Sequence, residues 1–177
     1  MNTLQDEVKT VFLPEEVEIV LNEHIKVFYR NLPDLLDSFY LVGSLVLNDY
    51  HEGRSDVDFV ALINRDMDAD ELNILEEIHK EISSKFPGKV LDGSYVTPQQ
   101  IVKLEELEQV IYFDGKSVRC DHKSGNANIV TWFILKNYGL TVWGKQPEYY
   151  IPNVDVEDLI DSVRLNVNTY WVNWTEN

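Results

Sequence analysis

One cysteine, Cys120, occurs in the whole chain. It has no partner for an intrachain disulfide, and a CxxC metal site is excluded. Positive charge is also scarce. Against 31 aspartates and glutamates stand 15 lysines and arginines, a formal net charge of −16. A protein that grips nucleic acid neutralises phosphates with a basic surface, so nucleic acid is not the default partner. The acidity suits a cationic ligand or a metal ion, and equally a plain solubilising surface. Long apolar runs are missing too. The densest, Ile129 to Leu135, is far too short to cross a bilayer. Met1 to Glu7 contains neither a basic stretch nor an apolar one, so no signal peptide is read there. Asn173-Trp174-Thr175 fits a glycosylation sequon, which in a chain without an export signal is read as chance. The expectation is a cytoplasmic protein that engages no membrane.

What is present points to an ordered α/β (α+β) domain. The chain has 177 residues, 44% hydrophobic and 11% aromatic, enough for one sizeable core. Pro14-Glu15-Glu16 opens a helix whose apolar stripe runs through Val17, Val20, Leu21, His24, Ile25 and Phe28. His24 lies on that stripe and is read as a packed core residue. Strands are predicted at Phe39–Val42, Val57–Ile63 and Val90–Val96. Between the last two, Asp68 and Glu71 form a capping-box pattern ahead of a helix that Pro87-Gly88 stops. Thr97-Pro98 starts a short helix through Leu107. Val110–Phe113 and Ser117–Cys120 flank Asp114-Gly115 as a hairpin. A helix from Ala127 to Tyr138 has Gly139 in the place of a left-handed cap, and Leu140–Trp143 is a further short strand. A last helix begins at Asp155 and continues past Tyr170.

The chemistry concentrates between Leu41 and Phe59. Gly43-Ser44 ends an apolar strand and opens a helical turn. Glycine lets backbone approach a ligand closely, free N–H groups at a helix start suit phosphate, and Ser44 adds a hydroxyl. Asp56 and Asp58 stand one residue apart on the next strand, so both carboxylates share a face while Val57 points into the core. Two hard oxygen ligands side by side suit Mg²⁺, which takes its other ligands from water and substrate phosphates. Alone, Asp-x-Asp is usually a solvated strand edge, and Gly-Ser a turn. The combination across residues 45–55, between two apolar strands, is far more specific.

Val42-Gly43-Ser44 followed by Ser55-Asp56-Val57-Asp58-Phe59 resembles the signature of the nucleotidyltransferase superfamily that includes DNA polymerase beta. The wider run, Tyr40 to Leu45 with Arg54 to Phe59, is most similar to the aminoglycoside adenylyltransferases of the streptomycin 3″ and spectinomycin type. Val90-Leu91-Asp92-Gly93-Ser94-Tyr95-Val96 resembles that family's third acidic strand, and Trp132–Gly144 with Pro147–Pro152 resemble it more loosely. The resemblance implies a nucleotidyltransferase fold, a mixed β-sheet flanked by helices. It implies metal ligation by Asp56, Asp58 and Asp92, the last as ligand, as base for the acceptor hydroxyl, or as both. It implies nucleotide contacts from Gly43, Ser44 and Ser55. The implied reaction is Mg²⁺-dependent transfer of AMP from ATP to a hydroxyl of a small cationic acceptor, most simply an aminoglycoside antibiotic. Two alternatives stand beside it: a minimal nucleotidyltransferase that modifies a protein partner, as in toxin–antitoxin pairs, and a non-catalytic nucleotide-binding domain. For Asp92 the plain alternative is a strand-end aspartate before a turn.

The resemblance also divides the chain. Residues 1–150 are expected to be the nucleotidyltransferase domain, and 151–177 a C-terminal helix that begins a helical domain. The adenylyltransferases carry such a domain, and here it would be missing or replaced by a partner such as a second copy. Trp171 and Trp174 on that helix are then expected to be partly exposed; packing back on the first helix is the alternative. Gly139-Leu140-Thr141-Val142-Trp143-Gly144-Lys145 mimics a phosphate loop, but Gln146 replaces its Ser or Thr and a helix precedes it instead of following.

Overall fold

The computed structural model describes residues 13–102, 109–121 and 127–168. Helix α1 (Glu15–Asn31) follows Pro14 and carries Glu15, Glu16 and Glu18 in its first turn, at the positive end of its dipole. Its buried stripe contains the expected residues and Val27. Among the described residues six strands follow: β1 (Leu36–Leu41), β2 (Val57–Ile63), β3 (Leu91–Val96), β4 (Val110–Phe113), β5 (Val118–Asp121) and β6 (Leu140–Trp143). They form one mixed sheet in the order β5-β4-β3-β2-β1-β6. Of these six strands, β2 and β3 pair in parallel and the other neighbours are antiparallel. A parallel pair needs a crossover, and α3 (Ala69–Lys85) supplies it. The predicted capping box is present: Asp68 accepts from Glu71 N–H at 2.9 Å, and Glu71 accepts from Asp68 N–H at 3.1 Å.

The two sheet faces carry separate cores. Val57, Phe59, Ala61 and Ile63 of β2 point with Leu91 and Tyr95 of β3 into a core shared with α1 and α3. Val60, Leu62 and Val96 point the other way, onto Trp132 and Leu135 of α5 (Ile129–Tyr138). Strand alternation therefore assigns Asp58, Asp92 and Ser94 to the α5 face.

Several boundaries differ from expectation for definable reasons. β1 begins at Leu36, not Phe39, because polar Asp37 and Ser38 are strand residues that bond to a neighbouring loop. α5 begins at Ile129 because Asn128 caps it, accepting from Val130 and Thr131 N–H. Gly139 is not left-handed; its φ is −57°. Glycine is needed there because a Cβ would run into the Leu135 carbonyl oxygen and lie 2.6 Å from Leu135 Cδ1. α4 spans Pro98–Val102, and residues 103–108 of the expected helix lie outside the described residues. α6 spans Val156–Asn166 with Asp155 as its cap, so Tyr170, Trp171 and Trp174 also lie outside. Among the described residues no helix is long and apolar enough to cross a membrane.

Candidate active site

The end of β1 and the starts of β2 and β3 meet at one end of the sheet. Leu41 pairs with Phe59, and Val42 N–H donates to Asp58 O at 3.0 Å. In the β2–β3 register Val57 faces Leu91 and Asp58 faces Asp92. Main-chain hydrogen bonding thus sets two carboxylates side by side on the α5 face. Asp56 immediately precedes the first residue of β2 and is exposed, so it extends the row from just outside the strand.

Gly43 opens the short helix α2 (Gly43–Val46) with φ +66°, a conformation that favours glycine. A Cβ at this position would lie 2.7 Å from Asp58 Cγ and 2.9 Å from its Cβ. The space left by the missing side chain is filled by the Asp58 carboxylate. The Ser44 N–H, offered by the sequence to a phosphate, hydrogen-bonds that same carboxylate.

Burial pushes the Asp58 carboxyl up to about 6, and the negative charges of Asp92 and Asp56 add to the shift; only the Ser44 N–H opposes it. This is a cluster of hard oxygen donors whose negative charges crowd Asp58. Among the described residues no group of three or more His, Cys, Asp or Glu side chains could hold a metal ion unaided. The donor set nevertheless fits Mg²⁺, which needs one or two carboxylates and completes its shell with water and phosphate.

The loop between α2 and β2 is built around Ser55. Its hydroxyl accepts from His51 N–H at 3.0 Å, and its own N–H donates to His51 O at 2.9 Å. Lys89 ties this loop to α1, with Nζ 3.4 Å from both Glu52 and Glu16. The structure therefore brings Gly43, Ser44, Asp58 and Asp92 to one place, with Asp56 and Ser55 on the adjoining loop.

The family model of the nucleotidyltransferase domain matches residues 21–121, a span that includes all of these positions. The chain belongs to that family. Among solved structures, this nucleotidyltransferase is similar to a spectinomycin adenyltransferase from Enterococcus faecialis, determined with ATP and spectinomycin. The two share 15% identity over 86% of this chain and 68% of the other, with a TM-score of 0.66. That similarity shows a common fold. A toxin–antitoxin structure with AMP-PNP aligns at 19% identity over 90% of this chain and 95% of the other. Its TM-score of 0.43 is too low to bear on the fold. No curated protein sequence matches the chain significantly.

The phosphate-loop mimic has a different role in this nucleotidyltransferase. Lys145 Nζ lies 2.8 Å from Tyr150 Oη and 3.5 Å from Asp37 Oδ1. Tyr150 donates to Asp37 at 2.6 Å, and Tyr40 donates to Lys145 O at 2.7 Å. Asp37 lies at the start of β1 and Gly43 beyond its end, so this loop braces the far end of the strand. The Gly43–Asp58 packing was not legible in the sequence, because spacing alone does not show which side chain fills a glycine's empty position.

Proposed function

We propose that the chain transfers AMP from ATP to a hydroxyl of a small cationic acceptor, an aminoglycoside antibiotic. The carrying observation is the Asp58–Asp92 pair, held in strand register against the side-chain-free surface of Gly43. In this reading Asp56 and Asp58 hold Mg²⁺, with Asp92 as the third carboxylate. The metal supplies charge neutralisation at the phosphates and stabilises the leaving oxygen. Gly43 and the Ser44 N–H seat Asp58, the Ser44 hydroxyl contacts the phosphates, and Ser55 orders the loop that presents Asp56. The acceptor hydroxyl oxygen bonds to the α-phosphorus, the bond from that phosphorus to pyrophosphate breaks, and Asp92 takes the hydroxyl proton. A carboxylate is an adequate base when positioning does most of the work.

The crowding of negative charge on Asp58 by Asp92 and Asp56, and the net charge of −16, support a cationic acceptor. Residues 1–150 form the catalytic unit in this reading, and α6 lies beyond it. Val156, Ile160 and Val163 expose apolar surface on α6, which supports coverage by a helical domain or a second copy. Use of ATP fits a cytoplasmic protein.

The test is mass spectrometry of an aminoglycoside panel incubated with ATP, Mg²⁺ and either the wild-type chain or Asp56→Asn. The expected result is an AMP adduct with the wild type only. Absence of any adduct from the folded wild type refutes the reading.

A further inference from the structure

We propose that Arg54 and Lys116 are the side chains that hold the terminal phosphates of the nucleotide, one from each side of the carboxylates. The inference rests on the nucleotidyl-transfer reading above and assigns residues that reading leaves open. A triphosphate entering a site of three aspartates needs cations at the far end of its tail as well as metal at the near end. Few are available. Among the described residues, every other lysine and arginine side chain reaches a carboxylate or a main-chain carbonyl. Lys89, Lys136 and Lys145 are held by Glu16 and Glu52, by Ile151 O, and by Asp37 respectively. Arg119, next along the hairpin, lies 2.7 Å from Asp114.

Arg54 and Lys116 are exposed and make no such contact, and the fold brings both to the catalytic end of the sheet. Arg54 belongs to the loop that delivers Asp56, and its N–H donates to His51 O at 3.1 Å, so its backbone is fixed while its guanidinium is free. Lys116 sits at the tip of the β4–β5 hairpin. Gly93 pairs with Phe113, so the tip continues alongside the residues leading into Asp92. Gly115 (φ +78°) packs so closely there that a Cβ would lie 2.5 Å from Val90 Cγ1 and 3.8 Å from Leu91 O. Asp114 accepts from Lys116 N–H at 3.1 Å and from Ser117 N–H at 2.9 Å. The tip is therefore ordered without any help from the Lys116 side chain. β2 and β4 lie on either side of β3, about 10 Å apart; Arg54 is on the loop that enters β2 and Lys116 on the turn that leaves β4, so both long side chains start from the end of the sheet that carries Asp58 and Asp92. Free, solvated cations on either side of an acidic floor match the polarity of a metal-bound triphosphate: metal over the carboxylates, anionic tail toward the rim.

The experiment is calorimetric titration of the full chain with ATP and with AMP, both with Mg²⁺. The variants are Arg54→Ala, Lys116→Ala, their double, Arg54→Lys, and Lys80→Ala as a surface control. Each single alanine variant is expected to weaken ATP by roughly tenfold, the size of one charged hydrogen bond, with AMP unchanged. Arg54→Lys restores most of the loss, and Lys80→Ala changes nothing. A purely structural role would weaken both nucleotides together, and that result overturns the inference. So does a double variant that binds ATP within about twofold of a wild type that binds it well. A folded wild type that binds no ATP overturns the inference and the functional reading together.

Discussion

Acid will loosen this fold from its centre. His24 of α1 and His79 of α3 are each 1% exposed, and both meet the hydroxyl of Tyr95, at 3.1 Å and 2.9 Å. One phenol can donate to one imidazole and accept from the other, so the rings are neutral and in opposite tautomers. Neither Nδ1 finds a partner. Phe28, Phe39 and Phe59 surround His24, and Phe113 stacks on His79 at 3.7 Å. Burial pushes His24 from 6.5 down to about 4, and burial plus the neighbouring His24 holds His79 well below its ordinary value. The unfolded chain takes up these protons near pH 6.5 and the folded chain does not, so protons favour unfolding through the window down to about pH 4. For His24 alone the shift is worth about 3 kcal/mol in full, of which about 2 kcal/mol is lost by about pH 5. His79 adds to this. Against a typical stability of about 5–15 kcal/mol, the loss is large. The assay is urea unfolding at about pH 7.5 and about pH 5, for the wild type and His24→Leu. Other titrating groups cancel in the comparison. The wild type loses about 2 kcal/mol more than the variant on acidification. Equal losses would refute the argument that His24 is buried neutral.

Three further outcomes follow from the site. Gly43→Ala forces a side chain into the left-handed region and onto Asp58; a thermal melt falls by the equivalent of at least about 1–2 kcal/mol, and ATP titration shows weakened binding. Unaltered binding would remove Gly43 from the site. Asp58→Asn relieves the crowding by Asp92 and Asp56, so its melting temperature rises while AMP transfer falls by more than about a hundredfold. Lys145→Ala loses the contacts to Asp37 and Tyr150 and melts slightly earlier, but leaves ATP affinity unchanged. A clear loss of affinity would restore the phosphate-loop reading.

Much of this architecture is legible from alternation and punctuation. β2 and β6 lie where their apolar runs place them, and the Asp68–Glu71 cap starts α3 as written. The failures occur where a residue's partner is distant in sequence. Asp37 and Ser38 read as loop because Lys145 and Tyr150, which satisfy them, come over a hundred positions later. Gly139 reads as a left-handed cap because the sequence does not reveal how closely Leu135 approaches. The candidate site follows the same division. Asp56 and Asp58 stand out by local spacing, and Asp92 by resemblance. The pairing of Asp58 with Asp92 is a property of strand register, which no local pattern encodes.

That register has a thermal consequence. The separation between Asp58 and Asp92 is fixed by the same main-chain ladder that holds Phe59 against Phe39 and Gly93 over the Phe59 ring. Among the described residues the backbone separation of this pair is set by the ladder itself, so it holds while the sheet survives. On a temperature ramp the Asp58–Asp92 pair is lost only with the global melt, and any inactivation that precedes it reports the Ser55 loop that presents Asp56.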